Sequence, residues 1–234
     1  EISACLVGSE MCIRDSHYQP SETTNRPLDK DSVLLLDSGA QYFDGTTDIT
    51  RTVALGKPSQ EIIDSFTQVL KAHIAAASAV FPADISGNAL DAVARSALWR
   101  FGKDYNHGTG HGVGCFLNVH EGPHGLSPRN TWSPLQPGMI SSVEPGYYVA
   151  GAYGIRIENL VVVKDADRPG FPQPMLEFET LTLVPIDKRL TNKYLLNDSE
   201  IKWLNDYHRK VLTALCNEVE ADVRSWLEEA CAPL

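Results

Sequence analysis

Five residues in this chain have side chains of the kind that hold a pair of divalent metal ions: Asp37, Asp48, His111, Glu144 and Glu158. Asp37 and Asp48 lie in LLLDSGAQYFDGTTDITRTV, eleven positions apart, flanking a Gly-containing turn between apolar, β-branched runs that read as adjacent strands. The others lie in HGTGHGVG, MISSVEPGYY and YGIRIENLVVV. If the four carboxylates converge to about 5 Å, each pair repels by about 3 kcal/mol at an effective dielectric of about 20. Such a cluster must take up protons, loosen, or hold cations. Two divalent ions bring four positive charges to four negative ones, so cation binding would drive assembly of the site. Oxygen-rich ligation with one imidazole favours manganese, with zinc and cobalt as alternatives. A water held between two such ions is the nucleophile of many hydrolases.

Composition sets the frame for that site. The chain has 234 residues, 43% hydrophobic and 21% charged, enough for one large core with a helical appendage. A formal net charge of -10 with scattered Lys and Arg argues against a nucleic-acid partner. Cys5, Cys12, Cys115, Cys216 and Cys231 are an odd set without a CxxC, which suits a reducing, cytoplasmic compartment better than a disulfide framework. No apolar run reaches the length of a membrane span, so no membrane partner is expected, and the sequon at Asn197 carries little weight.

The elements that must position the five residues can be read from periodicity. Residues 1 to 16 show no clear pattern, and order is expected from about His17. Strands are expected at Val33–Asp37, Gln41–Asp44 and Ile49–Leu55. Ser59 is placed to cap a helix carrying Ile62, Phe66, Val69, Leu70 and Ile74 on one face, and Ser86 a second that ends before Gly102. The Gly-, His- and Pro-rich stretch from His107 to Pro128 reads as a loop lining a site. Met139–Val143 reads as a strand, Gly154–Val163 as one long buried strand, and Leu181–Pro185 as an edge strand. Apolar residues at helical spacing between Ser199 and Glu229 predict one or two C-terminal helices.

In this order, DSGAQYFDGTTDITRT, HGTGHGVGCFLNVHEGP, EPGYY and GIRIEN resemble the catalytic domain of aminopeptidase P, the Xaa-Pro aminopeptidases of the pita-bread metallopeptidase superfamily. The cytosolic eukaryotic form is the nearest match, and the likeness continues through LTLVPID and WLNDYH. It implies an α+β, partial pita-bread fold: a curved antiparallel sheet flanked by helices, with a C-terminal helical extension. It also implies that Asp37 holds one metal ion, His111 and Glu144 the other, and that Asp48 and Glu158 bridge them at about 3.5 to 4 Å. Glu144 could in addition take the water's proton.

The same resemblance makes His17, His107 and His120 histidines of the substrate side, positioning the scissile carbonyl and stabilising its oxyanion. Arg156, two residues before Glu158, would orient a ligand carboxylate. The remaining histidines, His73, His124 and His208, read as structural, with His208 on a solvated helix face. The implied substrate is a peptide with proline at its second position, whose bond lacks the N–H that ordinary peptidases grip. A homodimer is implied as well.

The family carries further N-terminal domains and the first helices and strand of the catalytic domain ahead of the His17 motif. Residues 1 to 16 therefore read as a lead-in outside the family pattern on a truncated or mis-joined chain. Residues 17 to 187 read as the catalytic domain and 188 to 234 as the helical extension. Competing readings are a prolidase, which takes only Xaa-Pro dipeptides, a pita-bread binding module that has given up its metals, and an inactive fragment.

Overall fold

The computed structural model describes residues 3–8, 22, 27–28, 30–116, 118–129 and 133–234. A short strand, β1 (Ser3–Gly8), pairs antiparallel with β2 (Val33–Tyr42), which pairs with β3 (Gly45–Ala54). Where three short strands were expected between residues 33 and 55, a single two-residue turn, Phe43-Asp44, joins two strands of ten residues each. The segment SACLVG supplies β1, so ordered structure occurs ahead of His17, where the lack of alternation suggests none. An open strand edge offers backbone hydrogen bonds to any extended segment.

Helix α1 (Gln60–Ala77) begins as its sequence predicts, with Ser59 Oγ accepting the Ile62 N–H. After β4 (Val80–Pro82) comes α2 (Gly87–Trp99), with Gly102 at φ +68° beyond its end. Two ribbons follow, β5 (Gly110–His111) with β6 (Gly125–Leu126), and β8 (Gly146–Val149) with β9 (Tyr153–Arg156). The second sheet has the order β4-β11-β10-β7, with β7 at Ile140–Val143, β10 at Asn159–Asp165 and β11 at Met175–Thr180. Two 3₁₀ turns lead to α3 (Asp198–Leu215) and α4 (Ala221–Cys231).

Three further expectations need correcting. The expected long strand Gly154–Val163 is two, β9 and β10, broken at Ile157-Glu158. Pro145 lies opposite the break with no N–H to give the ladder, so the chain changes partner from β8 to β7. Leu181–Pro185 lies outside any ladder, and the strand in this region is β11 just before it. His208 is fully buried rather than solvated, and its Nε2 accepts the Ile186 N–H at 3.1 Å. Burial holds its pKa down at about 4, so it is neutral at neutral pH.

Two apolar cores hold these layers. In the first, Phe66, Val69, Leu70 and Ile74 of α1 pack on Leu98, Ile155, Ile157, Leu204 and Val211. The second joins Leu90 and Ala94 of α2 to Leu126, Leu135, Val143, Val161, Val163 and Leu176. Helix α3 thus shares the first core, and Asn197 caps it with a reciprocal Glu200 contact. Among the described residues no helix is long and apolar enough to cross a membrane.

Candidate metal centre

Hairpin register explains why aspartates eleven residues apart meet. Across the Phe43-Asp44 turn, Asp37 stands opposite Thr50 and Gly39 opposite Asp48. Opposed residues and residues two apart share a face, so Asp37, Gly39, Asp48 and Thr50 all point the same way. Eleven positions along one strand would have put them on opposite faces. The second sheet does the same for the glutamates: Asn159 pairs with Val143, which leaves Glu158 and Glu144 side by side at the strand ends. The Glu158 N–H reaches across to the Thr50 carbonyl at 3.1 Å, tying this sheet to the hairpin.

His111 is brought in along the edge of β7. Its N–H donates to Ser142 Oγ at 3.0 Å, and the Glu144 N–H donates to the Thr109 carbonyl at 2.7 Å. Gly110 is required for that approach, because a Cβ there would lie 1.9 Å from the Ser142 carbonyl oxygen. The start of the loop is pinned from α2, where buried Arg95 pairs with Asp91 at 2.7 Å and donates to the carbonyls of Tyr105 and His107. Asp91 in turn accepts from the Thr109 hydroxyl at 2.7 Å.

Donor atoms of Asp37, Asp48 and Glu158 lie within 4.8 Å of one another, as do those of His111, Glu144 and Glu158, and those of Asp48, His111 and His120. All five expected ligands therefore converge, and His120 stands beside them, its ring 4.1 Å from that of His111. Arg156 Nη2 lies 2.5 Å from Asp37 Oδ2, and its Nε lies 3.8 Å from Glu144. His107 lines the same cleft, yet both its ring nitrogens are occupied. Nδ1 meets the Gly108 carbonyl at 2.7 Å and Nε2 the Tyr148 hydroxyl at 2.8 Å, which also accepts from Arg156 at 3.0 Å. Burial lowers the His107 pKa to about 4, keeping it neutral. His17 lies outside the described residues.

The donor set fits a pair of divalent cations. Burial raises Glu144 to about 7, where His111 and Arg156 only partly offset it. Glu158, 2% exposed, is pushed well above the carboxylate range by burial and by the charges of Glu144, Asp48 and Asp37. Asp37 is also raised, by burial against the pull of Arg156. For His111 burial acts downward, but contact with Asp48 and the Glu144 charge outweigh it and raise the imidazole. Protons in this cluster stand where harder positive charge belongs. The cleft encloses about 1030 Å³, and its rim carries Phe43 and Phe116, stacked at 5.1 Å and 87% and 53% exposed.

Sequence reasoning missed Thr50, Ser142 and Tyr148, which bind the polar groups of the site rather than a cation. Thr50 Oγ1 donates to Glu158 at 2.7 Å and Ser142 Oγ to Glu144 at 3.2 Å. Their one available signal was position: Thr50 and Ser142 each lie two residues from a ligand on the same strand or its end, where side chains share a face.

The description metallopeptidase family M24 matches residues 4–165, and the C-terminal region of peptidase M24 matches residues 174–234. The chain belongs to metallopeptidase family M24, and its fold is the pita-bread fold of that family. It is 48% identical to a probable Xaa-Pro aminopeptidase P of Laccaria bicolor, over 93% of this chain and 35% of that protein. It is 49% identical to aminopeptidase P2 of Arabidopsis thaliana, over 93% of this chain and 31% of that protein. A solved X-prolyl aminopeptidase of Caenorhabditis elegans, described as a cytosolic enzyme with a di-nuclear active site, superposes with a TM-score of 0.92. That match has 44% identity and covers 99% of this chain and 38% of that one. The chain thus spans about a third of the length of the curated relatives it matches.

The raised carboxyls give the metal-free protein a signature. A group whose folded pKa lies above its unfolded value holds more protons when folded, so its contribution to stability falls as pH rises between the two. For Glu144 that window runs from the ordinary 4.5 to about 7, and Glu158, raised well above the ordinary value, acts in the same direction. Unfolded histidines titrate near about 6.5, so above that pH the carboxyls act without the opposing slope of the buried imidazoles. The unfolding midpoint of chelator-treated protein should drop from about pH 6.5 to about pH 8, and saturating manganese should remove the drop. Parallel pH profiles with and without metal would contradict this assignment.

Proposed function

We propose that this chain carries the catalytic site of a metal-dependent aminopeptidase that hydrolyses the N-terminal bond of peptides with proline in second position. The observation that carries the reading is the convergence of four carboxylates and one imidazole in a single cleft. The relatives called Xaa-Pro aminopeptidases point to the same bond. Asp37 would hold one ion, His111 and Glu144 the other, with Asp48 and Glu158 shared between them, and manganese is the proposed metal. When bound, such ions supply Lewis acidity and acidify a water.

The residues then divide the remaining work. Glu144 takes the proton of the attacking water and passes it to the departing proline nitrogen as the C–N bond breaks and the new C–O bond forms. His120, exposed beside His111, is the donor placed to meet the oxyanion. His107 acts as a brace rather than a proton carrier, because its two nitrogens already face Gly108 and Tyr148. Arg156 holds the Asp37 carboxylate in its orientation. His17 is proposed as a further substrate-side histidine on the resemblance alone.

Cytosolic residence is part of the proposal, after the worm neighbour, and cell fractionation checks it. A homodimer through residues 188 to 234 is proposed because α4 leaves Val223 and Trp226 exposed at 41% and 57%. Double substitution of these two by Glu should halve the mass in solution, and an unchanged mass refutes that interface.

With manganese, the protein should release arginine from the tripeptide Arg-Pro-Pro, and Glu144→Gln should lower kcat by at least about 100-fold. Cleavage of Xaa-Pro dipeptides alone would make it a prolidase, the activity suggested by its 31% identity to the Xaa-Pro dipeptidase of Bacillus anthracis. A metal content near zero under manganese-replete conditions would leave a binding module.

A further inference from the structure

Arg51 is a buried cation that the proposed chemistry does not use. It is 5% exposed, does not line the cleft, and by strand alternation faces away from Asp48 and Thr50. Burying a charge is costly unless every part of it is paired. Among the described residues the pairing is with neutral oxygens only. Nε donates to the Pro185 carbonyl at 3.1 Å, and Nη1 donates to the carbonyls of Thr50 at 3.0 Å and Glu158 at 2.5 Å. Nη2 donates to Asn159 Oδ1 at 2.7 Å, the Val184 carbonyl at 2.7 Å and Tyr207 Oη at 2.9 Å.

These partners belong to three parts of the molecule: the hairpin that carries Asp37 and Asp48, the Glu158-Asn159 junction, and the C-terminal region from Val184 to α3. The network continues to the other glutamate. Asn159 Nδ2 meets His73 Nε2 at 3.1 Å, and His73 Nδ1 meets the carbonyl of Val143, the residue before Glu144, at 3.1 Å. Tyr207 Oη reaches back to the Val184 and Thr182 carbonyls at 2.6 and 3.2 Å, so α3 grips the same strap that Arg51 grips.

We propose that Arg51 is the positioning residue of the metal centre: it sets the main chain at Glu158 directly and at Glu144 through Asn159 and His73, with Tyr207 of α3 as its anchor. The C-terminal helical region is then a working part of the site's geometry. A guanidinium is suited to this because its planar fork presents five N–H groups in fixed directions, where an ammonium is a point charge with three. The inference rests on the metal-site reading above.

The test compares Arg51→Lys and Tyr207→Phe with the parent, each as the full chain. Apparent Kd for Mn(II) is read from the EPR signal of free Mn(II), and folding from the thermal transition of metal-free protein. Loss of an outer hydrogen-bond partner typically weakens metal binding by about 10- to 100-fold. Both variants should unfold cooperatively, and both should bind manganese at least about tenfold more weakly than the parent. Arg51→Lys keeps the charge, so its weaker binding would mark geometry as the cause. Variants that fold and bind as tightly as the parent would overturn the proposal, and a lowered midpoint with unchanged Kd would reduce Arg51 to a stabilising role. If Arg51→Lys does not fold, Tyr207→Phe decides, since it removes one hydroxyl from an intact ring. A parent that takes up no manganese would instead overturn the metal-site reading itself.

Discussion

Repulsion among carboxylates that are denied water is the interaction to which everything else in this protein answers. Asp37, Asp48, Glu144 and Glu158 come from two sheets and share one cleft, with Glu158 almost wholly buried. Left to themselves they would separate or stay protonated, and the raised carboxyls of Glu144 and Glu158 record that pressure. The fold resists it mechanically. A long hairpin fixes the aspartates, the β7–β10 ladder fixes the glutamates, and the Glu158 N–H to Thr50 carbonyl bond, with the Thr50 hydroxyl and Arg51, joins the two.

Arginines do the remaining work, each in a different way. Arg156 lends its charge to the cluster through Asp37. Arg95, paired with Asp91 and Asp104, also donates to the main-chain carbonyls of Tyr105 and His107 and so holds the loop that presents His107 and His111. Arg51 has only neutral partners among the described residues and sits where hairpin, glutamate strand and C-terminal helix meet. The buried histidines His73 and His208 complete this framework as uncharged hydrogen-bonding groups.

Much of this was legible in the sequence. The five converging residues announced themselves through residue type and a Gly-rich setting, and α1 through its Ser59 cap and apolar spacing; α2 followed from apolar spacing, but Ser86 makes no side-chain cap and its hydroxyl donates to Asn88 instead. The strands were harder, because their limits depend on partners far away in the chain. The run from Gly154 to Val163 reads as one strand, and only the missing N–H of Pro145 on the opposing chain divides it at the place where Glu158 must turn into the cleft. His208 looked solvated because its helix is rich in charge. Its place in the core follows from the strap at Ile186, which no local pattern reveals. Arg51 and Tyr207 lie 156 positions apart, and nothing in either neighbourhood advertises the contact.

The central claim is that this acidic cluster exists to hold two cations close together. Anomalous X-ray scattering at the manganese edge, from crystals grown with Mn(II), locates bound metal without reference to activity. The account predicts two strong peaks inside the cluster, bounded by Asp37, Asp48, His111, Glu144 and Glu158. Peaks elsewhere, or no peak among these side chains, would contradict it.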